Sequence, residues 1–78
     1  MIEAVLYTDG GIECERIRML LKSLGGEYRE YLLGADFSDR QFRAEFGSEA
    51  EYPQITINGK HIGSLKETLQ YFNQKGLL

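Results

Sequence analysis

Residues 7–21 read YTDGGIECERIRMLL. Just before and into this stretch, Ile2, Ala4, Val5, Leu6 and Tyr7 form a short apolar run, the pattern of a strand buried on both faces. Thr8-Asp9-Gly10-Gly11 is turn chemistry. Cys14, Ile17, Leu20, Leu21 and Leu24 then recur at helical spacing, and Gly25-Gly26 supplies the stop. The chain therefore opens as strand, loop and helix, with its one cysteine close to the helix start. A helix N-terminus offers a partial positive charge and free backbone N–H groups, and both stabilise a thiolate.

Outward from this unit, residues 27–33 carry Tyr28, Tyr31, Leu32 and Leu33 ahead of Gly34, which predicts a second strand. Ser38-Asp39-Arg40-Gln41 fits a capping box, with Phe37 placed as a hydrophobic staple, Phe42 and Phe46 on one face, and Gly47 as the stop. Tyr52-Pro53-Gln54-Ile55-Thr56-Ile57 leads into Asn58-Gly59, the strongest short-range hairpin signal, because both central residues of a type I′ turn need positive φ. Ser64 to Glu67 repeats the capping-box pattern, and Leu65, Leu69, Phe72 and Gly76 complete a terminal helix. The first two strands, joined by a helix, are expected to be parallel with a right-handed crossover.

Seventy-eight residues predict one domain over 1–78, and a chain this short buries only about 60% of its unfolded surface. The 42% hydrophobic and 27% charged content are those of a globular chain. Apolar stretches fall far short of the roughly 20 residues of a membrane span, and no basic segment precedes a signal-like run, so a cytoplasmic location is expected. A single cysteine excludes an internal disulfide and a cysteine-rich metal site. One cysteine and one histidine, His61, assemble no mononuclear metal set, and no metal is expected. Nine basic residues are interleaved with twelve acidic ones for a net charge of −3, which disfavours nucleic acid. The aromatic residues are expected to be core, with Tyr7 and Tyr52 excepted because they flank the space between the first loop and Pro53 where a binding groove is expected.

The order of elements, with Tyr7-Thr8 ahead of the loop, Leu20-Leu21 six and seven residues after Cys14, Tyr52-Pro53-Gln54-Ile55, and Asn58-Gly59-Lys60-His61-Ile62-Gly63, resembles the glutaredoxin branch of the thioredoxin-fold superfamily. That resemblance covers nearly the whole chain. It implies an α/β, thioredoxin-like fold of order βαβαββα, a four-stranded mixed sheet flanked by three helices. It also implies a cytosolic thiol/disulfide exchanger working with glutathione as co-substrate or with a protein thiol/disulfide partner, most simply as a monomer.

The family builds its chemistry on Cys-x-x-Cys at the first helix, and here that motif reads Gly11-Ile12-Glu13-Cys14. Gly11 stands at the position of the attacking cysteine, and only the second cysteine remains. Cys14 is the candidate catalytic residue, with Arg16 and Arg18 following it but Glu13 and Glu15 flanking it; the alternative is a small buried core residue. An iron–sulfur cluster bridged between single-thiol members needs the absent first cysteine, so none is expected.

The resemblance further implies a cis bond before Pro53, with Tyr52 offering its backbone to a ligand as a strand-like rung; a trans proline opening an edge strand is the alternative. Thr8, Asp9, Gly11, Ile12, Glu13, Tyr52, Pro53, Gly63, Ser64, Leu65 and Lys66 are the candidate substrate-binding residues. Asp9 stands where the family usually has a lysine, and Lys66 lies where it usually has an acidic residue. Both reversals imply altered or weakened glutathione binding. Ser64 and the free N–H groups of the last helix could still hold a carboxylate. Two functions follow: weakened glutathione-linked exchange through Cys14, or a non-catalytic module gripping glutathione or an extended peptide beside Pro53.

Overall fold

The computed structural model describes residues 2–78. Strand β1 (Glu3–Thr8) leads into helix α1 (Ile12–Ser23), followed by β2 (Glu27–Leu32), α2 (Asp39–Phe46), β3 (Gln54–Ile57), β4 (Lys60–Gly63) and α3 (Leu65–Gln74). The strands form one sheet in the order β2-β1-β3-β4. β1 runs parallel to β2 and antiparallel to β3, and β3 and β4 are antiparallel. This is the mixed four-stranded sheet with three helices that the sequence implies.

The core follows from the two-residue period of β1. Ala4, Leu6 and Thr8 point to one face and are buried there. Ala4 and Leu6 share a cluster with Ile17 and Leu21 of α1, Ile55 and Ile57 of β3, and Phe72 of α3. Val5 and Tyr7, on the opposite face, are only half-buried. The expectation of a strand buried on both faces is thus corrected. The second face is covered by α2 alone, and eight residues are too few to seal it.

On that second face Tyr7 meets Tyr31, Phe37 and Phe46 at ring separations of 5.4, 5.6 and 5.0 Å. Phe37 stacks on Phe42 at 5.9 Å, the pair expected of a hydrophobic staple. The Ser38 hydroxyl accepts from the Gln41 N–H while the Gln41 amide accepts from the Ser38 N–H, closing the predicted capping box. α1 is tied across the sheet edge by a polar chain: Arg18 pairs with Glu30 of β2, and Glu30 accepts a 2.7 Å bond from the buried Thr8 hydroxyl.

α3 corrects a second expectation. Its buried positions are Thr68 and Phe72, four apart, whereas Leu69 is 40% exposed. The Thr68 hydroxyl donates to the Ser64 carbonyl at 2.9 Å, which satisfies it inside the core. The strand predicted to reach Leu33 ends at Leu32, and Leu33 makes only an isolated bridge to Phe37.

The Asn58-Gly59 turn has positive φ at both residues, 49° and 84°. Asn58 also binds the start of β1: its side-chain oxygen accepts from the Glu3 N–H at 2.9 Å, and its own N–H donates to the Glu3 carbonyl at 2.8 Å. Asn58→Ala is therefore expected to lose about 1–3 kcal/mol through a left-handed penalty and a lost bond. Asn58→Gly should lose less, because only the side-chain bond goes. Urea unfolding of the two variants beside the parent measures the difference.

Candidate functional site

Gly11 caps α1 with φ −76° and ψ 177°, an extended conformation open to any residue. The Asp9 carboxylate folds back over this tip, where one oxygen accepts the Gly11 N–H at 3.0 Å and the Cys14 thiol at 3.4 Å. Cys14 is 1% exposed, on the same helical stripe as Ile17 and Leu21. Burial pushes its thiol above the ordinary value; a backbone hydrogen bond at Asp9 opposes this, and the Asp9 carboxylate adds to the rise by hydrogen bonding and by charge. Glu13 and Glu15 in the first turn favour the helix dipole while adding negative charge near the tip. The arrangement keeps Cys14 as a neutral, covered thiol.

The second wall is the segment before β3. The Tyr52–Pro53 bond is cis and Pro53 is buried. The Gln54 side chain braces this segment by donating to the Glu51 carbonyl at 2.8 Å and meeting His61 Nε2 at 2.7 Å. Since the Gln54 amide nitrogen faces a carbonyl, its oxygen faces His61, and His61 Nε2 carries the hydrogen. The Tyr52 ring stacks on Phe42 at 4.0 Å and its hydroxyl donates to Asp39 at 3.1 Å. Burial, followed by the bond to Asp39, pushes the Tyr52 phenol up to about 12, so it stays a donor at physiological pH.

The third wall is the N-terminus of α3. Gly63 has φ 134°, and a Cβ there would sit 3.0 Å from Glu67, so this corner admits only glycine. Glu67 reaches back to Ser64, accepting from its hydroxyl at 2.8 Å and its N–H at 3.2 Å. Glu13, Glu51, Ser64, Leu65, Lys66 and Leu69 line a groove of about 390 Å3 between this corner and the α1 tip. Its Leu65 and Leu69 side chains give it an apolar strip, and Lys66 is its one cation.

Of the candidate binding residues, Glu13, Ser64, Leu65 and Lys66 meet in this groove. Gly11 and Asp9 lie at the α1 tip, and Ile12 beside them is 71% exposed. Pro53 and Gly63 are buried backbone corners. Thr8 offers no side chain, being fully buried with its hydroxyl on Glu30. The Tyr52 ring turns to the α2 face, and Tyr7 lies wholly in the aromatic cluster there instead of flanking the groove. Sequence reasoning missed Glu51, Leu69 and Gln54. For Gln54 a signal existed, a polar residue inside an apolar strand, whereas Leu69 fitted the core pattern and gave none. Among the described residues no cluster of His, Cys, Asp and Glu could hold a metal ion.

Three outcomes are expected of this geometry. Cys14 should react with a thiol reagent at least about tenfold more slowly in the folded chain than in urea, and Asp9→Asn should lower its pKa by removing a facing charge, read from thiolate ultraviolet absorbance against pH. Hydrogen bonds from the Ser64 hydroxyl and N–H hold the Glu67 carboxyl below its ordinary 4.5. A depressed folded value contributes stability that is present above the unfolded value and lost as pH falls through the folded one. Glu67→Gln should therefore be less stable than the parent at neutral pH, with the gap closing below about pH 4.5 in a series of urea midpoints.

The comparisons with known proteins agree with this architecture. The glutaredoxin family model matches residues 13–62, more than half of the chain. Rice (Oryza sativa subsp. japonica) glutaredoxin-C6 is 29% identical over 68 residues, which is 83% of this chain and 61% of the rice protein. The chain thus spans under two thirds of that relative. Among solved structures, the buckwheat glutaredoxin–glutathione complex superposes with a TM-score of 0.79 at 22% identity, covering 95% of this chain and 71% of that one. Glutaredoxin 1 from Francisella tularensis, solved with cacodylate, gives 0.71 at 23% identity, covering 99% and 98%. With the family match placed on a sheet, a cis-proline corner and two helix tips in this order, the chain belongs to the glutaredoxin family.

Proposed function

We propose that this chain serves glutathione-linked thiol chemistry as a slow exchanger that binds better than it reacts. The observation that carries the proposal is Cys14, 1% exposed and hydrogen-bonded to the Asp9 carboxylate, beneath a Gly11 that holds the place of the attacking cysteine. A thiolate is the nucleophile, and burial together with the Asp9 carboxylate outweighs the backbone hydrogen bonds that favour it, so Cys14 rests as the thiol. Exchange through it requires the α1 tip to open. The Cys14 thiolate then attacks the glutathione sulfur of a mixed disulfide, releasing the partner thiolate, and a second glutathione thiolate attacks the Cys14 mixed disulfide to give glutathione disulfide and free Cys14.

The ligand's place in this proposal is the groove between the α1 tip, Pro53 and the first turn of α3. The backbone at Tyr52 supplies a strand-like rung, and Lys66 with the N–H groups of α3 meets a carboxylate. Glu67 competes for Ser64, and Asp9, Glu13 and Glu51 repel an anion, so millimolar rather than micromolar binding is expected. Working as a monomer in a reducing, cytoplasmic setting belongs to the same proposal, and a protein thiol/disulfide partner is its other substrate class. Among the described residues no helix is long and apolar enough to cross a membrane.

A second function, a purely non-covalent grip on glutathione or an extended peptide beside Pro53, is favoured by the same burial of Cys14. Gly11→Cys separates the two parts of the proposal. The backbone at Gly11 admits a side chain, and the added Cβ meets only the movable Asp9 carboxylate at 3.1 Å. The variant should fold and gain glutathione-dependent disulfide reductase activity of at least about tenfold over the parent. An inert, folded variant would show that the ligand subsite is missing too. Titrating the parent with glutathione should move the amides of residues 10–13, Tyr52 and residues 63–66, and unmoved amides at millimolar ligand refute binding.

A further inference from the structure

The face of the sheet opposite Cys14 carries an open depression of about 360 Å3 that the proposed function does not use. Phe42, 2% exposed, is its floor; the half-buried Tyr7, Phe37 and Phe46 form its walls; the exposed Asp36 and Glu45 stand at its rim. No lysine or arginine lines it. Asp36 uses one carboxylate oxygen on the Leu32 N–H at 2.8 Å, and Glu45 has no ion-pair partner among the described residues. Arg43, on the same helix as Glu45, is turned to Asp39 and the Ser48 carbonyl. Aromatic side chains and two carboxylates thus border a space with no positive charge of its own.

The geometry points to a docking surface for a protein segment that presents an arginine side chain beside an apolar residue. A planar guanidinium forks a carboxylate such as that of Glu45 through paired N–H bonds, and its flat, weakly hydrated body packs against the aromatic side chains beside it. The volume is in the range of roughly 300–1,000 Å3 typical of sites for drug-sized groups, far more than one guanidinium fills, so room remains for an apolar neighbour against Phe37 and Phe46. The chain's net charge of −3 steers the same class of partner. Phe42 carries the Tyr52 ring on its other contact, so a segment docked here lies next to the Pro53 corner without entering the groove beside it.

The test is an amide-shift titration of the full chain with a capped leucine–arginine–glycine peptide, with its glutamine-for-arginine counterpart, and with arginine amide alone. Saturable shifts at Asp36, Phe37, Glu45 and Phe46 are expected from the arginine peptide, with arginine amide and the glutamine peptide each at least about threefold weaker. Glu45→Gln, on an exposed side chain, should weaken the peptide about three- to tenfold, and added salt should weaken it further. The proposal is overturned if the shifts fall at residues 63–66 or nowhere. Equal binding by the glutamine peptide, equal binding by free arginine amide, or indifference to Glu45→Gln would overturn it as well.

Discussion

The packing of Ile17 and Leu21, which share a buried helical stripe with Cys14, against Ala4 and Leu6 is the constraint on which the site depends. Each fully buried aliphatic side chain contributes about 1.5–3 kcal/mol, and a chain of this size has few to lose. Any rotation of α1 that uncovered Cys14 would lift Ile17 and Leu21 from the core with it. The thiol is therefore held inward by its neighbours' packing, and its chemistry is set by the fold before any charge is considered. Asp9 then closes the helix tip from outside, supplying the anion that a reactive cysteine would otherwise provide there.

The same economy explains why the two faces of the sheet differ. One face is sealed by two helices and a compact aliphatic cluster. The other has a single short helix, and aromatic rings span what α2 leaves uncovered: Tyr31, Phe37 and Phe46 each meet Tyr7, Phe46 meets Phe42, and Phe42 stacks on Tyr52. Large rings fill space with few residues, which suits a short chain, but Tyr7, Tyr31, Phe37, Phe46 and Tyr52 stay only half-buried. Tyr52 joins this cluster to the Pro53 corner through its stacking on Phe42.

Local chemistry made much of the fold legible in the sequence. Ser38 and Gln41, Asn58-Gly59 and Gly25-Gly26 each satisfy or break backbone bonding within a few residues, so their effects can be read in place. The absent cysteine at Gly11 was legible for the same reason. What could not be read depends on partners distant in the chain. Thr68 displaces Leu69 from the core because a backbone carbonyl four residues back satisfies its hydroxyl. Tyr7 faces α2 because the alternation of β1 commits Leu6 to the other side. Gln54 braces the Pro53 corner only because β4 brings His61 opposite, a matter of hairpin pairing and not of either residue alone.

Asn58 has a wider consequence. Its paired bonds to Glu3 clamp the leading end of β1 to the hairpin, while the Glu27 N–H donates to the Ile2 carbonyl on the other flank at 2.9 Å. The central strand is thereby indexed from both sides at its first residues. A slip by one position would turn Leu6 outward and Tyr7 inward, inverting both layers at once. The hairpin turn thus serves as a mechanical stop for a strand more than fifty residues away in the chain, and the depth at which Cys14 sits is fixed by that alignment.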